Sequence, residues 1–495
     1  MISSDLPVTG PGEQGVDARG ITAFLDVLEA DPRIDPHSVM LLRHGAVVAQ
    51  GWWAPYTSDR VHMLYSVSKT FTATALGFAV AEGLVSLDDA VVDHFPEFQA
   101  EIVGRSREIR VRHVAAMASG HHNDMIEAAE LADPAELVRG FLLHEPESAP
   151  GSVFAYNQSA TYSVAAIIQR AAGTTLVDYL RPRLFDPLGI GPVSWHQDGV
   201  GRDLGFSGLH ARTDAVARLG QLYLRDGVWQ GRRILPAGWV EQVRTRHVGT
   251  PQNEKPDWRQ GYGFQVWMSR HGYRGDGAYG QFCLILPEQD AVLAMTSATT
   301  EMQAILDAAW EHLLPALDGQ AGASPDDEAA LVRRLSVLAL TPLTGRTAPE
   351  DATGWVGSFT LRGPGAAGVA GTLEISAEAG GWRVVIPHAG GDIVVPFGVD
   401  GWRVTDFSGG TGEPAEQRPP VAASGGWVDG DTLRLDVLFL ETPHRLELTV
   451  RRADRGFVAR WVTEPLLRSL SHLQAPRPLA GEPLAGGPLA GGVPQ

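Results

Sequence analysis

Leu64-Tyr65-Ser66-Val67-Ser68-Lys69-Thr70-Phe71-Thr72-Ala73-Thr74 is the stretch whose reading decides the fold. Ser66 and Lys69 stand three apart at the start of a predicted helix, which puts both side chains on one face and within reach of each other. A serine hydroxyl becomes an effective nucleophile when a neighbour takes its proton, and a lysine does this only where its surroundings keep it partly neutral. The pattern is weak alone, and composition strengthens it. Of 40 Lys+Arg residues only Lys69 and Lys255 are lysine. Arginine cannot release its proton in a protein, so a chain that writes nearly all its cations as arginine keeps lysine where a titratable amine is needed. On this reading Ser66 attacks and Lys69 helps deprotonate it; the competing reading is a surface lysine on a capped helix.

Outward from this stretch, the helix is predicted to run from Ser68 to about Glu82 and stop at Gly83. Before it, Asp17 is a fair N-cap for a helix carrying Ile21, Phe24, Leu25 and Leu28, and Ser38 to Leu42 and Ala46 to Trp52 read as two strands joined at Arg43-His44-Gly45. After it, Phe154-Ala155-Tyr156-Asn157-Gln158 leads into another helix. The phenol of Tyr156 acts as a base only beside a positive charge, which Lys69 would supply. Strands are predicted at 261–267, 282–286 and 291–296, as an antiparallel meander. Arg274-Gly275-Asp276-Gly277-Ala278-Tyr279-Gly280-Gln281 lies among them, and its glycines let backbone approach a substrate closely, as an oxyanion-binding edge requires. No lysine follows it, so it is not a phosphate loop. His121 and His122 are adjacent, lack the spacing of a metal motif, and read as a loop beside the site.

Length and charge bound the rest. The chain has 495 residues, enough for two domains, and its formal charge of −18 argues against nucleic acid and anionic membranes. Its single cysteine, Cys283, excludes an intramolecular disulfide and a thiolate zinc cluster. Neither a metal nor another cofactor is expected. Met1 to Leu6 has no basic or apolar leader pattern, which makes the cytoplasm the default location. The predicted organisation is a loose lead-in over 1–16, a main domain over 17–317, a linker and helix over 318–350, an all-β domain over 351–475, and a disordered tail over 476–495 built on Pro-Leu-Ala-Gly repeats. Every motif lies before 318, so residues 1–317 are expected to fold alone.

Together, Ser66-Val67-Ser68-Lys69, Tyr156-Asn157-Gln158 and the glycine-rich edge at 275–281 resemble the three motifs of the serine β-lactamase and penicillin-binding-protein superfamily, and most closely its class C-like esterase and D-aminopeptidase branch. Arg112-His113, Ser119-Gly120-His121, Pro150-Gly151 and Pro187-Leu188-Gly189 resemble further landmarks, so the resemblance covers about 17–316. It implies an α/β (α+β) fold, an antiparallel sheet flanked by helices with an all-helical lobe, to which the C-terminal antiparallel β-barrel or sandwich is added. It also implies Ser66 as the acylated nucleophile, Lys69 and Tyr156 as the acid/base pair, and the backbone N–H groups of Ser66 and Ala278 as the oxyanion hole. Tyr65, His121, Gln158, Gly275, Asp276 and Gly277 would line the substrate. Two departures matter. Gln158 stands where the family usually has Asn, and Gly275-Asp276-Gly277 stands where it usually has a Lys or His that meets a substrate carboxylate. The expected activity is hydrolysis of a small-molecule ester or amide of an uncharged acyl group. Acyl transfer by the same residues, or a silent fold that binds a ligand or a protein, are the alternatives.

Overall fold

The computed structural model describes residues 6–318, 324–343, 345, 352–378, 381–389, 391–405, 419–466 and 470–481. His44 and Gly45 both take positive φ, 51° and 85°, and this tight turn closes the hairpin of β1 (Asp35–Arg43) and β2 (Ala46–Trp52), with Arg43 opposite Ala46. Four later strands complete the sheet: β3 (Trp267–Met268), β4 (Tyr273–Gly277), β5 (Gln281–Leu286) and β6 (Ala291–Ala298). Their order is β2-β1-β6-β5-β4-β3, antiparallel throughout. Of the expected strand at 261–267 only Trp267 is in a strand, as the start of β3; 261–266 are a loop that makes isolated bridges from Tyr262. Gly261 (φ 106°) and Gly263, whose added Cβ would lie 2.0 Å from the Val243 carbonyl oxygen, bend it against a neighbouring helix end.

Alternation along the strands separates two cores. Val39, Leu41, Leu284, Leu293 and Met295 face α1 (Ala18–Ala30), which Asp17 caps by accepting from Arg19 N–H. Met40, Leu42, Ile285, Val292 and Ala294 face the helical side, with α2 (Ser68–Ala81), α3 (Gln158–Ala172) and α4 (Thr213–Leu224). From Ser68 to Ala79, α2 is buried at every position, which makes it the central helix of the lobe. No helix among the described residues is long and apolar enough to cross a membrane.

Beyond α5 (Pro325–Leu335) comes a nine-stranded, nearly closed sheet: β7 (Gly357–Leu361), β8 (Thr372–Glu378), β9 (Gly381–Ile386), β10 (Ile393–Phe397), β11 (Arg403–Thr405), β12 (Val421–Trp427), β13 (Thr432–Phe439), β14 (Arg445–Arg451) and β15 (Gly456–Thr463). Its order is β10-β9-β8-β7-β15-β14-β13-β12-β11, with a bridge from Gly398 to Ser424 bringing the ends together. The pair β7 and β15 is parallel. Aromatic side chains, among them Trp355, Trp427 and Phe439, fill its interior.

The outer face of this sheet is not free. Leu438, Leu440 and Ala422 join Leu331, Leu338 and Leu340 in the core that α1 covers. Residues 7–9, expected to be loose, pair with β2 through hydrogen bonds from Thr9 N–H to the Val47 carbonyl (3.0 Å) and from Val47 N–H to the Pro7 carbonyl (2.8 Å). The start of the expected disordered tail is packed too, because Leu479 buries its side chain beside Val61 and Ala480 pairs with Val193. Residues 482–495, including the other two Pro-Leu-Ala-Gly repeats, lie outside the described residues, as do 1–5 and 319–323.

Candidate active site

Ser66 sits on the 3₁₀ turn Tyr65–Val67 that runs directly into α2. One helical turn on, the Lys69 Nζ donates to Ser66 Oγ (2.9 Å), to Gln158 Oε1 (2.7 Å) and to the Phe206 carbonyl (2.7 Å). Lys69 is 1% exposed. Burial draws its pKa down to about 7, against the opposing pull of Asp124 and Asp276. The consequence is chemical: two permanent acceptors hold two hydrogens, and the third position, hydrogen or lone pair, faces Ser66.

Tyr156 reaches the same oxygen, its hydroxyl hydrogen-bonded to Ser66. Its ring stacks on Trp267 at 5.6 Å, and Lys69 Nζ lies 4.8 Å from the ring centroid. The expectation that Lys69 lowers the phenol's pKa is corrected here. Burial raises it well above the ordinary range and the Asp276 charge adds to this, while a lysine held near neutrality offers little compensating charge. Tyr156 therefore stands as a proton donor. The next residue, Asn157, turns inward, where its Oδ1 caps α3 by accepting from Ser159 N–H (3.1 Å) and also accepts from Met125 N–H (3.2 Å). Gln158, expected against substrate, instead fixes Lys69.

The strand β4 has two unlike faces. A Cβ at Gly275 would lie 2.4 Å from Thr70 Oγ1, and one at Gly277 would lie 2.3 Å from the Leu64 carbonyl oxygen and 3.0 Å from Ser66 N. Glycine is needed here for close approach to the nucleophile's own backbone. Ala278 follows at the turn closed by Gly280 N–H to the Gly277 carbonyl (3.2 Å), and its carbonyl accepts from Gln281 Nε2 (3.1 Å). On the other face Arg274 Nε donates to Asp276 Oδ2 (3.0 Å), both residues buried, and the Trp267 side chain donates to the same carboxylate. Asp276 thus lies on the face of the strand opposite Gly275 and Gly277, neutralised by Arg274, while its charge still acts on Lys69 and Tyr156. Its partner Arg274 is held by the carbonyls of Asp257 and Met268 and by Ser269 Oγ, and lies 4.4 Å over the Trp258 ring.

Two more expected substrate residues are committed elsewhere. His121 is 1% exposed, with Nδ1 on Ser119 Oγ (3.0 Å) and Nε2 on the His144 carbonyl (2.9 Å), so it pins the 119–124 loop. Tyr65 is buried and sends its hydroxyl to His444 Nε2 (2.9 Å) in the C-terminal sheet. Its φ of 47° is uncommon for a residue with a side chain and costs about 1–2 kcal/mol.

Sequence reading missed three contributors. Asp124 accepts from Gln158 N–H (2.8 Å), and its charge acts on Lys69. Phe206 supplies a backbone carbonyl, and the signal was the pair Gly205 and Gly208, both at positive φ (70° and 84°), which fold that loop over α2. His444 has no local signal, since it stands 379 positions from its partner.

The geometry agrees with what the chain is similar to. A model of the beta-lactamase family matches residues 23–317. The 6-aminohexanoate-dimer hydrolase of Paenarthrobacter ureafaciens is 24% identical over 283 residues, 52% of this chain and 71% of the relative. Penicillin-binding protein 4 of Amycolatopsis lactamdurans is 26% identical over 288 residues, 50% of this chain and 75% of that protein. Among solved structures, that of SurE has a TM-score of 0.50 at 20% identity, covering 86% of this chain and 98% of its own, so the likeness in fold extends past the family match.

Proposed function

The chain belongs to the beta-lactamase family, whose relatives named above include a 6-aminohexanoate-dimer hydrolase, and on that premise we propose that it is a serine hydrolase working through an acyl-enzyme on Ser66. The observation that carries this is a buried lysine, drawn down to a pKa of about 7, 2.9 Å from a serine hydroxyl. Near neutral pH a substantial fraction of Lys69 is free amine, with its third position aimed at Ser66 Oγ. The Ser66 proton passes to Lys69 Nζ as Oγ bonds to the acyl carbon. The N–H groups of Ser66 and Ala278 receive the developing oxyanion at the edge that Gly277 keeps close. Tyr156, kept protonated by burial, delivers a proton to the leaving group and regains one from Lys69. Water then attacks the ester by the same route in reverse.

The substrate we propose is an ester or amide of an uncharged acyl group. Gly275 and Gly277 offer no cation, and Arg274 is spent on Asp276 behind the strand. A β-lactam carboxylate therefore meets no partner where this family usually supplies one. The test compares kcat/KM for a p-nitrophenyl ester and a chromogenic cephalosporin on one preparation, with Ser66→Ala as the blank. Ester hydrolysis well above the cephalosporin rate is expected; activity that survives Ser66→Ala overturns the acyl-enzyme, and a cephalosporin rate equal to the ester's overturns the substrate class.

A further inference from the structure

Two tyrosines bracket the backbone amides assigned above to the oxyanion. Tyr65 immediately precedes Ser66 and Tyr279 immediately follows Ala278, and both have positive φ, 47° and 66°. These are positions where glycine would sit without steric conflict and a tyrosine is an outlier. A tyrosine does what glycine cannot, because its far end reaches something. The two rings meet edge-on at 5.5 Å, and the His444 ring lies against each, at 5.9 and 5.8 Å.

The hydroxyls are both fastened to one stretch of the C-terminal sheet. His444 Nδ1 is 3.1 Å from the Thr463 carbonyl, which can only accept, so Nδ1 carries the hydrogen. Burial holds the imidazole neutral, leaving Nε2 as an acceptor for the Tyr65 hydroxyl 2.9 Å away. The Leu466 N–H donates to the same phenol oxygen. Tyr279 Oη donates to the Glu464 carbonyl at 2.5 Å. Met63, just upstream of the nucleophile turn, is tied to the same region by its N–H, which donates to the Glu441 carbonyl at 2.8 Å.

We propose that His444 and residues 463–466 are positioning elements of the hydrolase: they hold Tyr65 and Tyr279 in their strained conformations, and so aim the Ser66 and Ala278 N–H groups at the oxyanion. The C-terminal sheet is then part of the catalytic apparatus without touching substrate. The proposal rests on the acyl-enzyme reading of Ser66. The rival view is an interface that stabilises the protein and leaves the chemistry alone.

The experiment uses the full chain and the variants Tyr65→Phe, Tyr279→Phe and His444→Leu. Each is followed by thermal unfolding, by kcat and KM for a p-nitrophenyl ester, and by the rate of Ser66 modification with a fluorophosphonate, read by intact and peptide mass. Displaced donors cost roughly tenfold to a hundredfold, so Tyr65→Phe is expected to lose that much in kcat and in labelling rate with KM little changed. Losses in Tyr65→Phe and His444→Leu should fall short of additive in the double variant, as expected for two ends of one contact. Should His444→Leu fail to fold, the two conservative phenylalanine variants decide. Folded phenylalanine variants that label and turn over at the wild-type rate, or that change KM alone, overturn the positioning role while leaving Ser66 in place. No labelling of Ser66 in the wild type overturns the acyl-enzyme and the positioning role together.

Discussion

The two walls that meet at Ser66 are built on opposite plans. On the lysine side, Lys69 is satisfied entirely within the helical lobe, by Ser66, Gln158 and the Phe206 carbonyl. On the backbone side, Gly277 and the Tyr65 turn approach each other closely, and the tyrosines that frame them are fastened to the C-terminal sheet region, 379 residues downstream for Tyr65 and 185 for Tyr279. Proton transfer needs particular functional groups at short range, which a short motif supplies. Holding backbone in a disfavoured conformation needs leverage, and here the leverage comes from another layer of the fold.

The harshest test of this contrast removes the second layer. Cutting the chain after Leu317 takes away Leu331, Leu338, Leu340, Leu438 and Leu440, all buried in the core over α1. At roughly 2 kcal/mol for each buried leucine the loss is comparable to the whole stability of a typical domain, about 5–15 kcal/mol. Residues 1–317 alone are therefore expected to be insoluble or to lack a cooperative thermal transition, contrary to what the change of composition after 318 suggests. A soluble fragment with full esterase activity would mean that neither wall depends on the C-terminal sheet.

Next in size is Lys69→Arg. It keeps a positive charge but cannot accept the serine proton, and loss of such a group costs about 10²- to 10⁴-fold. Wild-type kcat/KM should fall on the acid side with a midpoint near pH 7, since the free amine is the active form and its pKa is drawn down to about 7. An arginine variant that keeps most of its rate would take the lysine wall out of the chemistry.

Gly277→Ala probes the other wall from within. Its Cβ would lie 2.3 Å from the Leu64 carbonyl, a backbone atom that cannot swing aside. We expect a loss in kcat of about 10²-fold, the scale of a misplaced catalytic group, in a protein that still unfolds cooperatively. Gly275→Ala meets the tip of a side chain, Thr70 Oγ1, and should cost less activity. Equal losses at the two positions would show that strand packing in general, and not closeness to Ser66, sets the effect.

How much of this was legible follows the same division. The Ser66/Lys69 face, the α1 cap at Asp17, the first hairpin and the all-β character of the C-terminal region are written in local spacing, and the structure has them. Strand β12 carries little strand signal of its own, because Val421-Ala-Ala-Ser-Gly-Gly-Trp427 is mostly small residues. Its glycine has a spatial reason: a Cβ at Gly426 would lie 2.3 Å from Gly345 Cα, where the incoming chain crosses the sheet. For Asp276 the alternation of a strand already puts Arg274, two residues earlier, on the same face, but the sequence does not show that the two are buried together as an ion pair. His121 and Tyr65 carry the right chemistry for a site and spend it on holding loops, which only their partners reveal.

The smallest effect is expected at Asp124, and it tests whether the lysine wall is as self-contained as its hydrogen bonds suggest. Asp124 acts on Lys69 through its charge, which raises the lysine's pKa against the larger lowering by burial. Its Oδ1 accepts from Gln158 N–H (2.8 Å) and Ile126 N–H (3.2 Å), bonds that an asparagine oxygen preserves, so Asp124→Asn removes charge with little change of shape. Without that charge the protonated amine loses support, and the Lys69 pKa should drop further. The acid limb of kcat/KM should then move to lower pH by roughly half a unit or less, a difference under about 0.7 kcal/mol, while the rate on the plateau stays within about twofold. A midpoint that moves to higher pH would reverse the sign assigned to Asp124. A midpoint that does not move would mean that solvent screens the carboxylate from Lys69, and that hydrogen bonding and burial alone set the base.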